Sequence, residues 1–185
     1  MRAARRALAP EAATRASRAI CRNIASLPVF RRSRHVAVFI AFDGEPDLTP
    51  LLRSGSARGK NLYVPIITRK TMRFARWSAQ AALAPNFFGI LEPEVTGSID
   101  ARNLDLVLTP LVAFDSYGTR IGVGRGYYDR RFAFLRARGS WQRPKLLGVA
   151  YELQHVHELH AQDWDVPLWG AVTELGMRRF TRGAA

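Results

Sequence analysis

Long apolar runs set the frame of the chain. HVAVFIAF (His35 to Phe42), NLYVPII (Asn61 to Ile67) and LDLVLTPLVAFD (Leu104 to Asp115) are apolar at most positions over a strand's length. A strand wetted on one face alternates polar with apolar, whereas one covered on both faces does not. These runs therefore predict buried strands of a parallel sheet. KLLGVAYE (Lys145 to Glu152) predicts another, Met72 to Trp77 a further one, and GAVTELG (Gly170 to Gly176) a strand that closes the sheet. Helical spacing at Ala13, Ser17, Ile20, Cys21, Ile24 and Leu27 predicts a helix over 10–27, with Pro10 and Glu11 in its first turn. Residues 48–57 predict a short helix stopped by Gly59, and Tyr127 to Arg138 a third. Asp43 to Asp47 reads as a turn, Pro85 to Pro93 as an irregular apolar loop, and Pro65 as the end of its strand. Strands alternating with helices predict an α/β fold: a three-layer sandwich with a mostly parallel central sheet and helices on both faces. No repeat, linker or low-complexity tract divides residues 1–185, so a single domain is expected.

Composition changes this picture little. Hydrophobic residues make up 48% of the chain, too many for a disordered segment. The 28 Lys and Arg against 15 Asp and Glu give a net charge of +13, which favours anionic partners such as nucleic acid, phospholipid or a nucleotide. Only Lys60, Lys70 and Lys145 are lysines, and an Arg- and Ala-rich chain of this kind also arises from GC-rich coding. Cys21 is the one cysteine, which excludes an internal disulfide, fits a reducing cytoplasmic setting and reads as a small core residue. No apolar stretch is long enough to span a membrane, and the basic N-terminus lacks the apolar core of a secretory signal.

The segment RIGVGRGYYDRR (Arg120 to Arg131) carries the chemistry. It follows the 104–115 run and precedes a helix, beyond the carboxyl end of a strand, where open α/β sheets bind ligands. Gly122, Gly124 and Gly126 let main-chain amides approach an anion, and the helix start adds further N–H groups. Arg120 and Arg125 supply charge for phosphate oxygens, Tyr127 and Tyr128 flat faces for a ring, and Asp129 a carboxylate for a divalent cation. Three alternate glycines alone are a weak signal, and a glycine-rich turn capped by a helix is the simpler reading of them. The spacing is not that of a Rossmann loop. GSARGKN (55–61) is one residue short of a Walker loop, carries Asn61 where Ser or Thr is needed and precedes its strand, so it reads as a helix stop.

With these residues in view, TPLVAFDSYGTRIGVGRGYYDR (109–130) resembles the signature of the 5-formyltetrahydrofolate cyclo-ligase family. RRALAPEAATRAS, FIAFDGEPDLTPLL, GKNLYVPII, MRF, FGILEP and WDVPLWGAVTE resemble further family segments in the same order. The resemblance implies an ATP- and Mg²⁺-dependent ring closure of 5-formyltetrahydrofolate to 5,10-methenyltetrahydrofolate through an iminium phosphate. It implies ATP contacts at Arg120, Ile121, Gly122, Val123, Gly124, Arg125, Gly126, Tyr127 and Tyr128. Folate contacts are implied at Ile40, Glu45 and 123–127, with Tyr127 and Arg125 nearest the reacting groups, and magnesium at Asp129 and Asp165. A monomer or weak dimer is expected, and the basic excess would suit a polyglutamate tail.

The simpler readings stand beside these. Glu45 can be a turn acid before Pro46, and Asp165 a turn cap before Pro167. Asp115 reads as a cap at the mouth of the loop, without a catalytic role. His155, His157 and His160 lie close together, but the resemblance implies a polar loop there, not a zinc site. Trp141, Trp164 and Trp169 read as packing residues. Family members carry a Lys-x-x-Leu-Arg segment that contacts ATP ahead of the stretch at which this chain starts. Arg2, Arg5 or Arg6 stands in for it on one reading; on another the start lies upstream of Met1. Two rivals complete the set: an inactive relative that binds folate or nucleotide, and a nucleic-acid-binding protein, which the scattered arginines disfavour.

Overall fold

The computed structural model describes residues 1–57, 59–69, 71–93, 97–137 and 143–180, without the side chains of 55–57. In chain order the elements are helices α1 (Arg2–Arg6), α2 (Pro10–Ser26) and α3 (Pro28–Arg32), strand β1 (His35–Ala37), helix α4 (Thr49–Ala57), and strands β2 (Asn61–Ile67), β3 (Met72–Arg76), β4 (Leu83–Pro85), β5 (Leu91–Pro93), β6 (Ser98–Ile99), β7 (Leu106–Pro110), β8 (Ala113–Phe114) and β9 (Arg120–Ile121). Helix α5 (Tyr127–Phe132) and strands β10 (Lys145–Val149), β11 (Gly170–Thr173) and β12 (Gly176–Arg179) complete the chain.

One sheet runs in the order β12-β11-β10-β7-β1-β2-β3-β6. The inner strands from β11 to β2 are parallel, and β12, β3 and β6 join antiparallel. Alternate residues of the inner strands feed two apolar layers, as the continuous runs require. Val36, Leu62, Leu106, Leu108, Leu147, Val149 and Val172 pack with Ile20, Cys21 and Ile24 of α2 and Leu51 and Leu52 of α4. Ala37, Tyr63, Val107, Leu146 and Ala171 face the other way, onto Phe132 of α5, Leu135 and Phe114. The three-layer α/β architecture with its mostly parallel sheet is the one the sequence predicts. Burial pushes the Cys21 thiol up to about 11, in keeping with a core residue.

Several elements differ from expectation. β1 stops at Ala37, although Val38 and Phe39 are buried; the chain leaves the ladder while staying in the core. Pro85 to Pro93 is not irregular, because β4 and β5 pair into a hairpin arm. Pro65 does not end its strand but lies inside β2 opposite Phe74. The bonds from Trp77 N to Leu62 O and from Thr68 N to Thr71 O mark the hydrogen-bonded pairs, and Pro65 falls between them, where no ladder N–H is needed. The sheet closes on a hairpin, β11 and β12, with Thr173 and Gly176 flanking its turn. α5 gives way after Phe132 to a 3₁₀ turn over Ala133–Leu135, and Arg138 and Trp141 lie outside the described residues. No described helix is long and apolar enough to cross a membrane.

The topology decides where a ligand can sit. From β1 the chain passes through α4 to β2 on one side. From β7 it passes through α5 to β10 on the other. Neighbouring strands whose connections diverge leave a crevice beyond their carboxyl ends, the usual ligand position in open α/β sheets. Residues 38–47 and 111–126 form its two walls.

Candidate active site

The first wall is a tight turn. Asp43 and Gly44 both have positive φ, 56° and 76°, and Glu45 N donates to Phe42 O at 3.1 Å. These are the features of a type I′ turn, which Asp-Gly favours. Glu45 folds back so that its Oε2 accepts from Phe42 N at 3.1 Å. Three arginines of α1 converge on Asp43: Arg2 at 2.8 Å, Arg5 at 3.3 Å and Arg6 in close contact. The bond from Arg6 is the largest cause holding the Asp43 carboxyl below its usual range. Glu45 goes the other way. Burial pushes its carboxyl up to about 7, although Arg5 pulls it back down. So Arg2, Arg5 and Arg6, offered on one reading as ATP contacts, are gathered on Asp43. A cavity of about 330 Å³ opens behind the turn, between α1, α2 and Tyr151.

The second wall starts rigid and ends open. β8 and β9 form a hairpin that apolar patterning does not announce. Its turn is organised by buried Asp115, whose Oδ1 accepts from the amides of Tyr117 and Thr119 at 2.9 Å and Oδ2 from Leu159 N at 3.1 Å. Asp115 is the cap the sequence suggests. From the last residue of β9 onward the chain is exposed: Ile121, Gly122, Val123, Gly124 and Arg125 all face solvent. A side chain at Gly122 or Gly124 would meet no atom within 4 Å. Gly124 and Gly126 have φ of 83° and 59°, a region that strains other residues; Gly122 does not share it. Gly126 caps α5, and Arg130 N donates to its carbonyl at 3.0 Å.

Side chains around this loop divide between bracing and lining. Arg120, expected on phosphate, turns inward and is only 8% exposed. It donates to Val166 O and, at 2.6 Å, to Asp129 Oδ1, which also accepts from Val166 N at 3.2 Å. The loop is thereby tied to residues 165–166, bringing the Asp129 carboxylate beside the Asp165–Val166 peptide. Asp165 Oδ2 accepts from Gln162 N at 2.9 Å and so also closes the local turn the simpler reading gave it. Arg125 lies over the Phe88 ring at 4.2 Å, a cation–π contact at an exposed site. Tyr127 meets the same ring edge-on at 6.3 Å and donates to Thr68 O at 3.0 Å. Tyr128 is half-buried toward Glu45; burial, then the Glu45 charge, push its phenol up. Ile40 packs against the α2 side of the core, half-buried.

The β4–β5 arm is the part of the site that sequence reasoning missed. Asn86 Oδ1 accepts from Phe88 N and Ile90 N, shaping the tip. Glu92 Oε1 accepts from Asn86 Nδ2 at 2.6 Å and from Ile67 N at 2.7 Å, pinning the arm to the end of β2. A Cβ at Gly89 would lie 3.8 Å from the Phe42 ring, so the tip reaches the first wall. Phe42 and Phe87 are exposed there at 40% and 73%, an unusual pairing of large apolar groups with water. FGILEP (88–93), with its resemblance to a family segment, is the sequence signal for this arm.

Other expectations fall elsewhere. His155 bonds Ser116 Oγ at 3.0 Å and stacks on Phe114, while His157 and His160 are exposed. Among the described residues no group of three or more His, Cys, Asp or Glu gathers. Trp164 is 61% exposed and does not pack as expected; Trp169 lies under Lys145 and Arg179.

The sequence profile of the 5-formyltetrahydrofolate cyclo-ligase family matches residues 1–174. The 5-formyltetrahydrofolate cyclo-ligase of Escherichia coli K12 is 35% identical over 180 residues, 94% of this chain and 96% of that one. Its counterpart in Haemophilus influenzae is 34% identical over 161 residues, 83% of each. The solved structure of Aquifex aeolicus 5,10-methenyltetrahydrofolate synthetase matches with a TM-score of 0.83 and 33% identity, covering 100% of this chain and 91% of that one.

Proposed function

Since this chain belongs to the 5-formyltetrahydrofolate cyclo-ligase family, we propose that it closes 5-formyltetrahydrofolate to 5,10-methenyltetrahydrofolate, consuming ATP with Mg²⁺ and releasing ADP and phosphate. The observation that carries this reading is the open glycine loop at the switch point, with room at Gly122 and Gly124 for an anion against the main chain. The amides of 121–126 and the start of α5 cradle the phosphates, and Arg125 adds charge. Arg120 acts as the brace of that loop through Asp129 and Val166.

Asp129 and Asp165 suit magnesium. Asp129 Oδ2 carries no protein hydrogen bond among the described residues, and two carboxylates with phosphate and water make a usual Mg²⁺ shell. The ion, when bound, neutralises phosphate charge and orients the γ-phosphoryl group. Glu45 accepts from the N–H donors of the pterin edge. Ile40, Phe42, Phe88 and Tyr127 provide apolar surface, and 123–127 touch both substrates. The formyl oxygen takes the γ-phosphoryl group, N10 attacks the formyl carbon of the resulting iminium phosphate, and phosphate leaves as the ring closes. No side chain serves as nucleophile. The protein holds two substrates in register and matches their charge.

A cytoplasmic setting goes with a chain whose one cysteine cannot form an internal disulfide. The net charge of +13 suits a glutamate-tailed folate. The test is a spectrophotometric assay of methenyltetrahydrofolate formation. Turnover that requires both ATP and Mg²⁺ is expected, with one ADP per product. Folate or nucleotide binding without turnover would overturn the reading.

A further inference from the structure

Arg5 is among the largest fully buried side chains of the described residues, and it spans the crevice. Nε and Nη2 donate to the Asp43 carbonyl at 3.1 and 2.8 Å, and Nη2 also reaches Asp43 Oδ2 at 3.3 Å. Nη1 donates to the Leu111 carbonyl at 3.1 Å, just past the end of β7, and lies 4.0 Å from Glu45 Oε1. One planar guanidinium thus ties the turn after β1 to the segment after β7, with the Glu45 carboxylate at its edge. A buried arginine needs counter-charge and acceptors, and three of the four groups it uses belong to these two walls' main chain or to Asp43. Core stability alone does not call for such a group, since apolar side chains of like volume usually serve as well.

We propose that Arg5 is a positioning residue for substrate binding: it fixes the Glu45 carboxylate against the second wall, in the place and ionised state in which it receives the pterin edge. The proposal rests on Glu45 as the folate contact. A 2-amino-4-oxo pterin presents adjacent N–H donors, so an ionised carboxylate held at fixed distance pairs with both, and a protonated or displaced one does not. Burial opposes ionisation of Glu45, with Asp43 of the same turn and Tyr128 of α5 facing it; Arg5 and Arg2 of α1 are the cations that favour it. Arg5 is the nearer and the buried one.

The test is a double-mutant cycle on the full chain with Arg5→Met, Arg5→Lys and Glu45→Gln, reading the KM for folate, the KM for ATP and the pH profile. Glu45→Gln is expected to raise the folate KM on the order of tenfold, the loss of a charge-assisted hydrogen bond. Arg5→Met is expected to raise it comparably, with a smaller change in the ATP KM, and the double variant to be little worse than either. In Arg5→Met the rise of folate KM on acidification, near pH 7 in the wild type, moves to higher pH; Arg5→Lys returns it toward 7. Should Arg5→Met fail to fold, the cycle is run with Arg5→Lys, whose lost fork is expected to raise the folate KM less. An unchanged folate KM in Glu45→Gln overturns the assignment of Glu45 itself. A raised KM in Glu45→Gln with additive effects in the double variant, or with an unmoved pH profile in the Arg5 variants, leaves Glu45 standing and overturns the role of Arg5.

Discussion

The two walls of the crevice are built in opposite ways. The turn after β1 is closed on itself: the amides of Phe42 and Glu45 are bonded within it, Asp43 is met by three arginines, and one of those is buried. The loop after β9 leaves Gly122 to Arg125 in solvent, braced at its base by Arg120 and Asp129 and at Arg125 by Arg130, which donates to its carbonyl at 2.8 Å. Groups satisfied within the protein stabilise it, and groups left facing water are available to a ligand. The contrast teaches that the closed wall supplies placement and the open wall supplies capacity.

Substitutions that open the closed wall or block the open one test this division. The largest effect is expected at the base of the loop. Asp129→Ala should lower kcat by on the order of a hundredfold or more, through loss of the metal ligand. Buried Arg120 also loses its counter-charge, at a cost of about 3 kcal/mol, readable as a lower Tm. Asp129→Asn keeps an acceptor for Arg120 and should lose turnover with little loss of Tm. Near-normal turnover in Asp129→Asn would remove the metal role.

Next is Gly124→Val, which places a branched side chain in the loop at positive φ. The ATP KM should rise roughly tenfold with a stability loss of about 1–2 kcal/mol; unchanged ATP affinity would count against the amide cradle. On the closed wall, Asp43→Ala should cost about 2 kcal/mol of stability, because Arg5 keeps its carbonyls but loses its carboxylate. Denaturant unfolding that shows no loss would mean the clamp is ornamental.

The smallest effect is a pH dependence of opposite sign for two acids of one turn. Asp43, with its carboxyl held low, contributes stability above its unfolded pKa that is lost as pH falls through the folded value. Glu45, raised to about 7, contributes stability below its unfolded pKa that is lost as pH rises toward 7. Glu45→Gln should therefore gain about 3 kcal/mol over the wild type at pH 8 and nothing at pH 4. Equal Tm differences at both pH values would show that Glu45 is not held up by burial.

Where residue type implies one local solution, sequence reading went far. Continuous apolar runs gave the parallel sheet, helical spacing gave α2, and the glycine segment lies where strand and helix adjoin. What escaped was set by long-range partners. The β8–β9 hairpin is too short to show a period, and its turn is organised by Asp115 through Leu159, far along the chain. An apolar run records burial, so β1 looked longer than its ladder. Arg120 reads as a hand for phosphate because nothing in the sequence says which way its guanidinium points, and Val166 decides that. The arm depends on Glu92 reaching Ile67, a contact no spacing suggests.

The margins of the sheet carry a consequence of their own. One ends in β6, only two residues long, and the other in β12, which bears exposed Arg179, while Arg178 is paired with Glu152. A neighbouring molecule seeking to extend the ladder would find too few free rungs on one flank and like charge on the other. Edges of that kind disfavour fibrous association, even with the aromatic mouth at Phe42 and Phe87 exposed.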